Sequence, residues 1–178
     1  MSNYLDEFAD AWDNHPGGAT ASPCMCLAAY NENMALLAGD RSDGIHTYLV
    51  NHSHTVKVRE AVGYSPVIAA EAAVVLTDDP GQARAVGRAH LATYIGSRSH
   101  QRKFAALGFG PEDFTDGGSD RLIDGLIVHG DEAIKERIDK HIGAGADHVG
   151  VQVLGTSSLD EDVAAWGHIA NLILNQPG

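Results

Sequence analysis

The sequence predicts an α/β protein of the (β/α)8 TIM-barrel type, with about half a barrel present: four parallel strands, flanking helices and a helical excursion. Three observations predict it. Short apolar runs alternate with longer segments of helical periodicity. Four such runs occur, and an irregular helical stretch separates the third from the fourth. The 178 residues fall short of the roughly 250 that a full barrel needs. An open half leaves two strand edges unpaired. The chain is therefore expected to be a fragment, to pair with another half, or to close its sheet some other way.

The elements follow in order. Leu5, Phe8 and Trp12 stand at i, i+3 and i+7, which gives an opening helix over 4–12. His15, Pro16, Gly17 and Gly18 break it. A compact apolar strand covers 22–29. Its Cys24 and Cys26 point to one side and read as two small buried residues. Two cysteines cannot build a disulfide framework, and no second pair exists to complete a zinc site. Asn31 suits the cap of the next helix, with Met34, Leu37 and Ala38 facing inward. A second strand covers 44–50. Ser53 caps a helix that stops at Gly63, and the third strand, PVIAAEAAVVL, covers 66–76. Asp79 as cap and Pro80 as first helical residue start a helix reaching about Ile95. Helices over 99–107 and 119–128, joined by GFGPEDF, make the excursion. Asp131 caps a helix that stops at Gly143 and Gly145, and the fourth strand covers 148–154. Ser158 and Glu161 form a capping box for a last helix. Its Leu159, Val163, Trp166, Ala170 and Ile173 share one face.

Charge excludes whole classes of function. Twenty-four acidic residues against twelve Lys and Arg leave a net charge of −12. A nucleic-acid binder needs a basic face, which this chain cannot easily supply. No Lys or Arg precedes Arg41 or follows Lys140, so an anion site near either end must use backbone N–H groups and helix dipoles. No apolar run approaches the ~18 residues of a membrane span. The longest, 67–76, is interrupted by Glu71. The acidic N-terminus lacks a signal pattern. These features predict one cytoplasmic domain over 1–178 that contacts neither nucleic acid nor membrane.

Four stretches carry a family resemblance: CLAAYNENMALLAGDRSDGIHTYLV, VVLTDDPGQARAVGRAHLATYI, LGFGPEDFTDGGSDRLIDGLIVHGD and HIGAGADHVGVQVL. Their order and spacing make 4–154 resemble the C-terminal half of the luciferase-like monooxygenase family. The branch it is most similar to is that of the coenzyme F420-dependent oxidoreductases. The resemblance implies a deazaflavin cofactor, coenzyme F420, with FMN as second choice, and a small-molecule substrate. It implies that this half supplies part of a phosphate cradle after strand five, a wall after strand six and a floor near strands seven and eight. The strands that grip the cofactor ring in the family are not in this sequence. A homodimer or a complementary half-barrel chain is therefore the expected partner. The other reading is a dimerising module or inactive remnant that no longer binds cofactor.

The resemblance places the cradle at Ala29, Tyr30, Asn31 and Glu32, where the family has Ala-x-Gly-Pro. Asn31 adds a side chain where glycine would let a phosphate approach. Glu32 suits the helix dipole but repels a bound anion. His46 and Tyr48 match the family's His-Pro-Tyr stretch, with Thr47 in place of Pro, and strand alternation puts them on one face. They are the candidate catalytic pair, His46 as an acid/base or hydrogen-bonding group. Gln152 is the candidate mouth amide on the last strand, or else a core amide satisfied by a neighbouring strand. His52 and His54 flank a helix start, and no metal site is expected. Glu71 is expected before the strand proper, paired with Arg59 or Arg41, the other placement facing the barrel centre. Arg84 and Arg88 are expected on a solvated helix face. Arg98, Arg102 and Lys103 are expected to be solvated too, the alternative being contact with the coenzyme's acidic tail.

Overall fold

The computed structural model describes residues 2–14 and 24–174. The break at 15–18 and the start of the first strand at 22 lie outside the described residues. Helix α1 is Ser2–Asp13, strand β1 Cys26–Ala28, helix α2 Glu32–Arg41 and strand β2 Gly44–Thr47. Helix α3 is His52–Val62, strand β3 Val67–Val75, helix α4 Pro80–Ile95 and helix α5 Arg98–Ala106. A 3-10 turn, Pro111–Phe114, leads to helix α6, Asp120–Leu126. Strand β4 is Ile127–His129, helix α7 Asp131–Gly143, strand β5 His148–Val153 and helix α8 Leu159–Leu174.

All strand pairings are parallel. β1 pairs with β2 and β2 with β3, and β3 pairs with both β4 and β5. Ala69 and Ala70 each face β2 on one edge and β5 on the other. Ala73 and Val74 likewise face β4 and β5. A strand has two edges, so β4 continues the edge that β2 leaves at Thr47. The sheet is four strands wide, with β1 and β5 outermost among the described residues. This is the expected parallel sheet with flanking helices, with β4 as an addition. The sequence reading ran the preceding helix to 128; in the structure that helix stops at Leu126 and three residues pair with the free stretch of β3.

Side-chain alternation sorts the sheet into two faces. Ile45, Ile68 and Ala70 pack with Ala35 and Ala38 of α2 and Val58 of α3. Val74 packs with Ile134 of α7 and Ile169 of α8. This face is covered along its length. On the opposite face only the C-terminal end is covered: Ala73, Val75 and Leu154 pack with Leu91, Phe104 and Leu122 of the excursion. Gly87 lets α4 and α6 approach, because a Cβ there would stand 2.5 Å from Ile123. Arg84 and Arg88 are not free: they bind Asp124 and Asp120 and tie α4 to α6. The loop before α6 is fixed by the buried Asp113, which accepts hydrogen bonds from Arg121, Ser119 and the Gly110 N–H. The Arg121 guanidinium, then the Ser119 hydroxyl, hold its carboxyl at about 2.

Several local expectations change. The second strand ends at Thr47 because Leu49 sits at φ 49°, a left-handed conformation a strand cannot include. The cap of α3 is Asn51, not Ser53; its side chain accepts the His54 N–H at 3.1 Å. Gly130, at φ 75°, precedes α7, and Asp131 is its first helical residue. Asp79 caps α4 as expected, accepting the Gly81 N–H at 2.8 Å. On α8 Ala165 and Ile169 are buried and Leu172 and the expected Ile173 pack beside them, while Leu159, Val163, Trp166 and Ala170 are exposed. Cys24, which precedes β1, and Cys26, which opens it, are free thiols and exposed, not buried, at the outermost strand.

Candidate functional site

A groove of about 650 Å³ lies between α2, α3 and α5 and begins at Tyr30 and Asn31, the turn that follows β1. Tyr30, Asn31 and Glu32 enter it from the start of α2, His54 and Lys57 from α3, and Arg102 and Lys103 from α5. The Asn31 side chain accepts the Met34 N–H at 3.0 Å, so its carboxamide is already engaged as the helix cap. Three of the twelve cations of an acidic chain thus converge on one concavity, with Glu32 and Glu60 beside them.

Lys103 is the centre of this region and is 3% exposed. Its Nζ donates to the Tyr48 carbonyl at 2.8 Å and lies 4.0 Å from the Tyr48 ring centroid. Burial pulls its pKa down to about 8, partly offset by the Glu71 carboxylate. Glu71 lies within β3 and its Oε2 accepts the Leu49 N–H at 2.9 Å. The Tyr48 carbonyl and the Leu49 N–H belong to one peptide unit. A buried ammonium and a carboxylate therefore hold that unit from both ends, just before the left-handed Leu49. This corrects the expected placement of Glu71. Arg59 is instead bound to Asp147 and to the carbonyls of Gly63, Pro66 and Gly145, and Arg41 to Asp6.

The same peptide sets the Tyr48 side chain. Its hydroxyl is 3.1 Å from His100 Nε2, with Tyr94 beside both rings. Burial, then the neighbouring Lys103 charge, lowers the His100 pKa. Burial raises that of Tyr48. His54 is held at about 4 by burial and by Lys103 and Lys57. Behind it His141 is fully buried, its Nδ1 2.9 Å from the Thr55 hydroxyl, and burial sets it at about 4 as well.

The residues singled out from sequence are distributed over three places. Tyr30 and Asn31 line the groove. Ala29 is buried beneath it, its N–H donating to the His46 carbonyl at 3.0 Å. Tyr48 is under α5. His46 and Gln152 are exposed on the open face of the sheet, where His46 Nδ1 lies 3.2 Å from the Ala69 carbonyl. The end of β2 at Thr47 is what separates His46 from Tyr48: one contacts the β3 backbone, the other α5. Sequence reasoning passed over His100 and took Lys103 for a solvated cation. The signal was present, because His100, Lys103, Phe104 and Leu107 stand at i, i+3, i+4 and i+7, the spacing of a buried stripe.

Comparison with solved structures identifies the fold. The crystal structure of apo-MsnO8 matches with a TM-score of 0.63 and 14% identity, over 100% of this chain and 62% of that one. The coenzyme F420-dependent tetrahydromethanopterin reductase from Methanopyrus kandleri matches with a TM-score of 0.51 and 19% identity, over 72% of this chain and 44% of that one. EDTA monooxygenase (EmoA) from Chelativorans sp. BNC1 matches with a TM-score of 0.51 and 14% identity, over 88% and 46%. At these identities the likeness defines the fold, part of a TIM-barrel-like, luciferase-like sheet. The chain spans 44–62% of the length of these structures. No family model matches the sequence, and no curated protein matches it. Among the described residues no helix is long and apolar enough to cross a membrane.

Proposed function

We propose that this chain is the C-terminal half of a luciferase-like oxidoreductase barrel that holds a deazaflavin, coenzyme F420, or in second place FMN, together with a second copy or a complementary half-barrel chain. The groove beside Asn31 carries this reading. It starts at the turn after the C-terminal end of β1, the end at which open and barrel-type α/β sheets take their ligands, and runs between α2, α3 and α5. Lys57, Arg102 and Lys103 give it the charge an anionic coenzyme tail requires. The start of α2 adds backbone N–H groups and the positive end of a helix dipole. The cofactor, when bound, supplies the hydride chemistry.

The chain's own residues then have stated tasks. Lys57 and Arg102 bind the tail. Lys103 and Glu71 fix the 48–49 peptide. Tyr48 and His100 form a hydrogen-bonded pair able to hold or pass a proton to a small-molecule substrate. His46 and Gln152 face the side that a second half would enclose. One observation favours the dimerising, non-binding alternative: Glu32 and Glu60 stand in the groove, where they oppose an anion.

Native mass spectrometry of the purified chain with coenzyme F420 and FMN in equal amounts tests the proposal. The expected species is a dimer or larger complex carrying one of them, weakened by Lys57→Gln and by Arg102→Gln. A cofactor-free chain in every oligomeric state overturns the second-copy form of the proposal, and the enzyme reading then stands only with a complementary half-barrel chain that supplies the missing strands.

A further inference from the structure

The open face of the sheet carries a pair of histidines, one of which, His148, has no task in the cofactor reading. His46 of β2, Ala69 of β3 and His148 of β5 occupy one row of the register. All three therefore project to the same face, the one the helices leave uncovered below Glu71. Adjacent strands lie about 4.8 Å apart, so the two histidine Cα atoms are about 10 Å from each other. Ala69 between them is too small to fill that space. Two imidazoles leaning toward each other across it can meet at one ion, each through a bond of about 2 Å.

The His46 ring turns toward β3, with Nδ1 3.2 Å from the Ala69 carbonyl. A carbonyl only accepts, so Nδ1 must carry the proton, and the Nε2 lone pair is left free. That is the arrangement found for ligating histidines, whose second ring nitrogen donates to a carbonyl or carboxylate. His148 is exposed and its ring makes no hydrogen bond or ion pair among the described residues. Among those residues no three His, Cys, Asp or Glu side chains already stand together around an ion position. The site would accordingly have two protein ligands and open positions.

We propose that His46 and His148 form a two-histidine site for a borderline divalent transition metal, Zn2+, Ni2+ or Cu2+, on the open face of the sheet, with water or an exogenous ligand completing the coordination. Imidazole donors select these ions over Mg2+ and Ca2+, which take oxygen ligands. The groove residues contribute to neither ligand, so a failure of metal binding is distinguishable from a failure of cofactor binding in the groove.

The test is calorimetric titration of the untagged chain with Zn2+ alone, in a Cys24→Ser/Cys26→Ser background so that the exposed thiols cannot bind it. One ion per chain is expected. Loss of an outer partner already costs ligating sites about 10–100-fold in affinity, so His46→Ala and His148→Ala should each weaken binding by at least roughly tenfold. His168→Ala, on α8, should leave it unchanged. With Cu2+, the electron paramagnetic resonance spectrum should show two nitrogen ligands, and one in either single variant. Circular dichroism of the variants separates loss of a ligand from loss of fold. No Zn2+ binding in the thiol-free background, or binding that survives both histidine substitutions, overturns the proposal.

Discussion

The two faces of the sheet are built from the same three strands, β2, β3 and β5, and obey opposite rules. One face presents Ile45, Ile68, Ala70 and Val74, all fully buried under α2, α3, α7 and α8. The other presents His46, Ala69, Glu71, His148, Gly150 and Gln152, small or polar residues left open below the excursion. A closed barrel fills its interior with layers of bulky branched side chains. This inner face has none in its middle rows. The lesson is that covered and open positions are separated by a single residue along each strand. The covered face holds the sheet together, and the open face is free to carry polar groups because nothing needs to pack there.

The largest effect that can break this comparison is a truncation on the covered side. Ile68→Ala should cost about 2–5 kcal/mol, whereas Gln152→Ala on the open face should change stability by no more than about 0.5 kcal/mol. Urea unfolding of both variants reads the difference, and equal losses would mean that both faces are packed in solution. Next is Arg59, 6% exposed beneath the covered side, where it serves three carbonyls and Asp147. Arg59→Met should cost about 2–3 kcal/mol, because it leaves the buried Pro66 carbonyl without its donor and removes the bonds to Gly145 and Asp147. A midpoint within error of the parent would refute that account.

The covered side also predicts a pH dependence. His54 and His141 stand near 4 in the folded protein against 6.5 as free groups. Between those values the unfolded chain binds more protons than the folded one, so stability falls as pH drops through the window. The upper bound is on the order of 3 kcal/mol per group, and less for the partly exposed His54. Unfolding midpoints measured from pH 7 to pH 4 should decline, and His141→Gln should flatten the slope. The smallest effect is at the helix cap beside the groove. Asn31→Ala removes the acceptor for the Met34 N–H and should cost about 1 kcal/mol. A gain in anion affinity without that loss would show that the cap bond is absent in solution.

Much of this architecture was legible in the chain. Third and fourth strands were read to within one residue at each end, because turn residues bracket continuous apolar runs. The cap at Asp79 and Pro80 was legible because its bonds are local. Strand β4 was not, since its three residues continue the apolar pattern of α6 and are decided by the vacant edge of β3. The stripe on α8 misled for a related reason. That helix has apolar residues on both sides, and periodicity cannot say which side meets the sheet. Within the site, Tyr30 and Asn31 were legible as a strand-to-helix turn. Lys103 was not, because its role depends on a carbonyl 55 positions away in the chain.

Sequence by itself determined the alternation of strand and helix, the acidic net charge and the residues available at the strand ends. These follow from side-chain period, net charge and turn chemistry, which are local or additive. Only the tertiary structure decided which face of each element is covered, that Glu71 and Lys103 grip one peptide, and that His46 parts from Tyr48 to share a row with His148. Those outcomes depend on strand register and on packing between distant segments, where the free energy belongs to the contact and not to either residue alone.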